Sequence, residues 1–375
     1  MSRISIGFYC PNLGSGGAEM HLARLIGHLD AQTFKITLFL SRSNGQYEWL
    51  IPKHVHVVYL SNGKIKKGIL GLLQTISPLA AEIKKLSPHI FFSIMDHANV
   101  VSYFAHRRAK SKSRLAFGIQ TPILQGLKFQ WNPFNKLISL LIPKIYPRAD
   151  LIVALSKGVR QDLISLERRL GMNTIVINNI GIDPQQNPKT EPILKNPEKT
   201  VLMVCGRLIR LKGFDLVIQA MALVQEKYDC ELWILGEGPE EENLRDLADR
   251  LTILDDVKFM GFKDSPMDFM KAADIFILSS YYEGFGNVIV EAMAAGTPVI
   301  ATDCPYGPGE IISDGVDGII VPVGDHRSMA KAIAQLIENR SLRNELSANG
   351  LKRSGHFTGE VISSHYKDAF VSLIK

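Results

Sequence analysis

The sequence predicts an α/β protein of two doubly wound domains. Its 375 residues are enough for about two domains. Short β-branched and aromatic runs alternate with helical patterns in both halves, as strands of a parallel sheet alternate with its covering helices. A polar stretch carrying Pro184, Pro188, Pro192 and Pro197 separates the two series, and neither a helix nor an inner strand tolerates prolines at that density.

In the first half, residues 4–9 read as a strand, Gly14-Ser15-Gly16-Gly17 as a turn and 18–29 as a helix. Further strands are expected at 34–40, 54–60, 90–94, 115–119, 151–154 and 174–177. The second series is expected at 200–204, 230–235, 257–260, 275–279, 298–301 and 318–322. These readings give a first domain over 1–182, a linker over 183–199, a second domain over 200–355 and a last helix over 356–375. That helix carries Ile362, Tyr366, Phe370 and Ile374 four apart, as one buried face requires. Doubly wound sheets bind ligands beyond the carboxyl ends of their strands, so the expected site is a cleft where the carboxyl ends of both sheets face each other.

With 46% hydrophobic and 21% charged residues the composition is that of a folded globular chain. Cys10, Cys205, Cys230 and Cys304 are scattered, with no C-x-x-C pair, and no secretory leader pattern opens the chain, so a disulfide framework is not expected and the expected location is the cytoplasm. The net charge of +6 is uneven: residues 1–180 hold 23 Lys and Arg against 8 Asp and Glu, residues 181–375 hold 20 against 29. A basic half suits nucleic acid, an anionic lipid surface or a phosphorylated acceptor. Zinc-ligand spacing and RNA-binding signatures are both missing, which disfavours nucleic acid as a partner. Peripheral contact with the inner membrane surface is the better expectation. Residues 65–86 and 134–146 interleave Leu and Ile with Lys, yet neither offers the roughly 18 unbroken apolar residues of a membrane span. Each reads either as a core-facing amphipathic helix or as an interfacial one.

The chemistry concentrates in the second half. Glu283-Gly284-Phe285-Gly286-Asn287-Val288 follows the expected strand 275–279 and enters an apolar helix that contains Glu291 and ends at Gly296. A helix start offers free N–H groups and a positive dipole end to a pyrophosphate, and carboxylates on either side can accept hydrogen bonds from vicinal hydroxyls of a sugar and a ribose. Upstream, Gly206-Arg207-Leu208 leaves a strand and Lys212-Gly213 precedes a helix. Arg207 can fork two phosphate oxygens while Lys212 adds a point charge; Arg210 between them reads as a surface residue. Gly236-Glu237-Gly238 follows another strand, and the acidic run Glu240-Glu241-Glu242 behind it would repel phosphate, so this turn is not a P-loop. No Asp-x-Asp pair occurs, which leaves positive charge to Arg207, Lys212 and backbone N–H groups and implies no metal. A dinucleotide fingerprint starting at Gly14 would need glycine where Glu19 stands, so a nicotinamide cofactor is disfavoured.

The Glu283 to Glu291 segment resembles the E-x7-E motif of the retaining family-4 glycosyltransferases, and the resemblance runs over nearly the whole chain. It implies the GT-B fold, with the last helix crossing back onto the first domain and the cleft closing on the donor. It implies that Glu283 contacts the transferred sugar and Glu291 the nucleotide ribose. Gly206-Arg207-Leu208 with Lys212-Gly213 is similar to the family's pyrophosphate-holding motif, Gly16-Gly17-Ala18-Glu19 to its phosphate-approaching turn, and Gly236-Glu237 to its turn beside the nucleoside. Many members carry a histidine after a middle strand of the first domain; here Gln120 stands there. Gln120 can hydrogen-bond a sugar on the acceptor side but cannot exchange a proton. His97, beside Asp96, is the next candidate, either structural or near the reacting sugar.

The expected activity is transfer of a sugar from a nucleotide-diphosphate donor, most commonly UDP-linked in the family, to a lipid-linked or phosphorylated saccharide. The nucleotide sugar is then a substrate, and no cofactor is implied. An epimerase or hydrolase of the same architecture would need an acid/base pair, for which Asp96 and His97 are the available groups. A non-catalytic binding protein would be expected to lack Glu283, Arg207 or Lys212.

Overall fold

A computed structural model of the chain describes residues 3–14, 16–61, 69–124, 126, 133–183, 193, 195–263 and 265–375. The chain divides into two compact units: unit 1 is Met1–Ile180 with Gly359–Lys375, and unit 2 is Gly181–Thr358. The expected linker lies largely outside the described residues, as do Ser15 and the start of the 65–86 stretch.

Unit 1 is built on a parallel sheet of β1 (Ile4–Cys10), β2 (Phe34–Leu40), β3 (His56–Tyr59), β4 (Ile90–Ile94), β5 (Arg114–Ile119), β6 (Leu151–Ala154) and β7 (Thr174–Val176), in the order β3-β2-β1-β4-β5-β6-β7. Ile4 lies opposite Phe34 and Cys10 opposite Leu40, and the same strand pairs β4 on its other side. Helices α1 (Gly17–His28), α2 (Ile69–Leu86), α3 (Asp96–Ala109), α4 (Pro133–Ile145) and α5 (Lys157–Leu166) connect the strands. Every residue of β4 is buried. A parallel sheet covered on both faces needs such unbroken apolar strands, which is why they were readable as runs rather than alternations. Unit 2 repeats the plan with β8 (Thr200–Cys205), β9 (Cys230–Leu235), β10 (Val257–Gly261), β11 (Ile275–Leu278), β12 (Val299–Thr302) and β13 (Ile319–Val321), ordered β10-β9-β8-β11-β12-β13 and parallel throughout. Its helices are α6 (Phe214–Gln225), α7 (Glu241–Arg250), α8 (Pro266–Ala272), α9 (Asn287–Ala294), α10 (Pro308–Ile311), α11 (His326–Glu338) and α12 (Arg340–Ser354). In both sheets the strand order reverses beside the first strand, between β1 and β4 and between β8 and β11. These are the topological switch points at which doubly wound sheets open a crevice.

The last helix, α13 (Gly359–Ser372), belongs to unit 1 although it follows unit 2 in sequence. Ile362, Tyr366 and Phe370 enter the unit 1 core, where Phe92 meets Tyr366 and Phe370 edge-on, with ring centroids 6.1 and 5.6 Å away. Ile374 departs from the expected face: it lies past the end of α13 and is exposed. A buried histidine fastens the helix. The Ile180 N–H donates to His21 Nδ1 at 3.0 Å, so the ring proton sits on Nε2, which faces the Tyr366 hydroxyl at 3.2 Å. Burial lowers the His21 pKa to about 3, so the ring is neutral at physiological pH.

The two Lys-interleaved stretches form α2 and α4. Ile83 of α2 and Ile138, Ile142 and Ile145 of α4 are buried, while Leu70 and Leu73 of α2 and Leu137 and Leu140 of α4 are exposed. Each helix thus has a core face and a second, wet apolar edge. No described helix is long and apolar enough to cross a membrane.

Tyr366→Phe leaves the buried Nε2–H of His21 without an acceptor, a loss of about 1–3 kcal/mol. Hydrogen exchange is expected to quicken in the α13 amides before the rest of unit 1. Unchanged α13 protection would show that the His21 contact contributes nothing to docking.

Candidate active site

At the switch point of unit 2, the loops after β8 and β11 are tied together. The Ser279 hydroxyl donates to the Lys212 carbonyl at 2.7 Å, and the Tyr281 N–H donates to the Leu211 carbonyl at 2.9 Å. Gly213, φ +60°, makes the approach possible, because a side chain there would run into the Ser279 carbonyl. The result brings two expected site residues into contact: Lys212 Nζ donates to Glu283 Oε1 at 2.6 Å, with the two side chains 22% and 13% exposed. The Ser280 hydroxyl donates to the same oxygen at 2.6 Å. Two donors therefore converge on Oε1 of Glu283 and fix the direction of its carboxylate.

Arg207 stands on the same β8 loop, exposed, with no ion pair among the described residues. Its guanidinium is available to an outside anion. Arg210 points away, 3.6 Å from Glu240 with its side chain in solvent. The loop is propped from behind by the turn after β9. The Gly206 N–H donates to the Leu235 carbonyl, and the Leu208 N–H donates to the Glu237 carbonyl. Leu235 and Glu237 thus hold the residues on either side of Arg207 through the backbone, while Gly236 lies against the Gly206 carbonyl, where a Cβ would collide.

Helix α9 begins at Asn287 with Gly286 as its N-cap, φ +101°, a conformation suited to glycine. Glu291 lies inside this helix, and its charge acts on the Cys205 thiol at the end of β8. Burial first, then Glu291, pushes that thiol up to about 12, and Lys212 opposes the rise. Gly284 and Val288 are partly exposed beside this helix start. The ring of Phe285, by contrast, is buried edge-on against Phe357 at 5.4 Å. It anchors the loop, so only its backbone can serve a ligand.

The switch point of unit 1 holds a second constellation. Gly16 is the N-cap of α1 and Gly17 its first residue. The Glu19 carboxylate packs on Gly16, where a Cβ would collide with it, which supports the loop rather than a ligand. After β4, Met95 takes φ +80°, a strained value for a side-chain-bearing residue that costs about 1–3 kcal/mol. Asp96 and His97 follow. The Tyr146 hydroxyl donates to Asp96 Oδ1 at 2.7 Å and accepts from Asn99 Nδ2 at 3.1 Å, while the Ser93 hydroxyl donates to Asn99 Oδ1 at 2.8 Å. Burial raises the Asp96 pKa to about 6 against the opposing Tyr146 bond. Burial lowers the pKa of His97, which favours the neutral ring. Gln120 is occupied: its Nε2 donates to Asn179 Oδ1 at 3.2 Å, and Asn179 Nδ2 donates back to Oε1 at 2.9 Å. Sequence reading missed Ser280 and Tyr146. The pair of serines closing β11 was the available signal for the first; Tyr146, fifty residues from Asp96, gave none.

With this geometry in hand, comparison with known proteins is specific. The model of "Glycosyl transferases group 1" matches residues 185–353 and that of "Glycosyltransferase Family 4" matches 15–186. Among curated proteins, the chain is 32% identical over 351 residues to the N-acetylgalactosamine-N,N'-diacetylbacillosaminyl-diphospho-undecaprenol 4-alpha-N-acetylgalactosaminyltransferase of Campylobacter jejuni, covering 90% of this chain and 91% of that one. It is 39% identical over 173 residues to the lipopolysaccharide core biosynthesis glycosyltransferase LpsE of Rhizobium meliloti, 46% of this chain and 50% of the relative. Among solved structures, Anabaena Alr3699/HepE in complex with UDP and glucose superposes with a TM-score of 0.81 at 23% identity, covering 99% of this chain and 100% of that one.

Asp96 keeps its proton in the folded chain up to about pH 6, whereas its ordinary value is 3.8. Its contribution to stability is complete below the lower value and is lost as pH rises through the upper one. Asp96→Asn preserves the acceptor for Tyr146 and is expected to raise Tm at about pH 8, the gain disappearing near pH 4. An equal gain at both values would show that Asp96 is not held protonated by the fold.

Proposed function

This chain belongs to glycosyltransferase family 4, and we propose that it is a retaining, metal-independent member that moves a sugar from a UDP-linked donor to a hydroxyl of a lipid-linked or phosphorylated saccharide. That it is a glycosyltransferase of GT-B fold follows from its family and its relatives. One observation carries the finer reading: the 2.6 Å Lys212–Glu283 pair at the carboxyl edge of β8 and β11, with exposed Arg207 on the same β8 loop and in no ion pair among the described residues.

In this proposal the donor pyrophosphate lies against Arg207, Lys212 and the N–H groups that open α9. Departure of the nucleotide concentrates negative charge on the phosphate, and two fixed cations stabilise that charge more than the ground state. When the phosphate takes Lys212, Glu283 is freed toward the sugar hydroxyls, while Ser280 keeps it aimed. Glu291 accepts from the ribose. The acceptor hydroxyl attacks on the face the nucleotide leaves, and a donor phosphate oxygen receives its proton. Asp96 and His97 are the groups of unit 1 to which we assign acceptor recognition; Gln120, engaged with Asn179, orients rather than reacts.

Several observations support the finer terms. The sequence carries no Asp-x-Asp pair, and Arg207 and Lys212 supply the charge a metal would otherwise bring. The Campylobacter jejuni relative is named for a 4-alpha transfer onto a diphospho-undecaprenol-linked saccharide; an α-linked product from an α-linked donor is retention. The excess of Lys and Arg in residues 1–180, with exposed leucines on α2 and α4, suits a peripheral contact with an anionic membrane face, where such an acceptor resides.

The test is turnover of a panel of nucleotide sugars by purified protein in EDTA. One donor is expected to be consumed, with kcat reduced at least about 100-fold by Arg207→Ala and by Glu283→Ala. Loss of turnover in EDTA would overturn metal independence. A folded protein that neither turns over nor binds any donor would overturn the donor-site reading.

A further inference from the structure

A cleft of about 710 Å³ opens in unit 1 at the amino ends of β4 and β5, beside Pro88 and Ser113. This is the end of the sheet opposite to Asp96, His97 and Gln120. Its lining includes the apolar side chains of Ile83, Pro88, Ala109 and Ile374 among serines. Its rim is cationic: Lys84 comes from the last turn of α2, Arg108 and Lys110 from the end of α3, and Lys112 and Arg114 from the turn into β5. No Asp or Glu lines it. Arg114 is paired with Asp150 at 3.0 Å, but Lys84, Arg108, Lys110 and Lys112 have no ion pair among the described residues.

Cations at helix carboxyl ends are favourable through the helix dipole, which accounts for Lys84 and Arg108. Lys112 lies beyond both helices, and gathering it with three other uncompensated cations around one concavity raises their mutual repulsion. An anion in the cleft relieves that repulsion. A directional donor is also present. The Ser5 N–H donates to His89 Nδ1 at 3.0 Å, which puts the ring proton of the neutral form on Nε2, and His89 lines the cleft. The walls are fixed, since the Ser113 hydroxyl donates to the Pro88 carbonyl across the floor.

We propose that this cleft binds a phosphate group carried on a larger organic body, either an anionic lipid headgroup or a soluble phosphorylated saccharide. The cationic rim takes the phosphate, and the apolar side chains and the volume accommodate the body attached to it. Because the candidate reacting groups sit at the other end of the sheet, a ligand here is held without being transformed. The site anchors, and it stands whether or not the donor chemistry proposed above is correct.

The probes are inorganic pyrophosphate, followed by calorimetry, and vesicles of phosphatidylcholine with or without phosphatidylglycerol, followed by sedimentation. Both are applied to full-length Arg207→Ala protein, so that the β8 loop does not compete for anions. Lys110→Asn with Lys112→Gln removes two rim charges and keeps a residue tolerant of the left-handed backbone at position 110, φ +51°. Should that protein melt early, exposed Arg108→Gln is used instead. Vesicle partition falling about 30-fold with two rim charges, or about 5-fold with Arg108 alone, and only where phosphatidylglycerol is present, supports the site with a lipid source. A matching loss of pyrophosphate binding, with vesicle partition unchanged, supports it with a soluble source. Failure of both probes to bind before the rim charges are removed, or undiminished binding afterwards, overturns the proposal.

Discussion

An ammonium and a carboxylate held 2.6 Å apart at the carboxyl edge of a buried parallel sheet constrain everything around them. The loop after β8 has to turn back far enough to present Lys212, which Gly213 permits and the Ser279 hydroxyl enforces. The loop after β11 has to bring Glu283 forward, and the buried ring of Phe285 pins that loop from beneath. In a pair this close each charge is satisfied by the other, yet either member can be recruited by a better partner. In the function proposed above a pyrophosphate competes for Lys212 and a sugar for Glu283, and the ion pair keeps two otherwise costly charges in place until a ligand exchanges into it. In that proposal Arg207, left outside the pair, supplies the first attraction.

Unit 1 shows the complementary case of a carboxyl group whose pKa burial raises to about 6. Asp96 shares its setting with Tyr146, Asn99 and a strained Met95. Strain and a raised pKa at one switch point are features that stability alone would remove. Their coincidence is the reason for assigning this corner, rather than Gln120, to recognition of the acceptor.

The fold was legible because its strands are of the kind that betrays itself. β2, β4, β6 and β9 have the bounds that composition alone indicated; β4 and β6, buried at every residue, are short β-branched, aromatic and aliphatic runs, while β2 and β9 keep that character around single polar residues such as Lys35 and Glu231. Glu283, Arg207 and Lys212 stood out as candidates for another reason: glycines, charges and strand ends fall at fixed offsets in short segments, and the structure pairs two of the three. What escaped was everything carried by distant pairs. Nothing in a linear reading joins Tyr146 to Asp96, His21 to Tyr366, or Lys212 to Glu283 seventy-one residues on. Likewise, periodicity counted Ile374 with the buried face of the last helix, although the helix ends before it.

The most direct measurement is the affinity for UDP of Glu283→Gln and Lys212→Met, each compared with the unaltered protein and checked for an intact melting transition. If the pair is a site waiting for a ligand, the two substitutions act in opposite directions. Removing the carboxylate releases Lys212 and eliminates a repulsive charge, so UDP binds as well or more tightly; removing the ammonium weakens it. If both variants lose UDP alike, the pair is a strut between two loops, and the account of this site as a donor-phosphate and sugar clamp is contradicted.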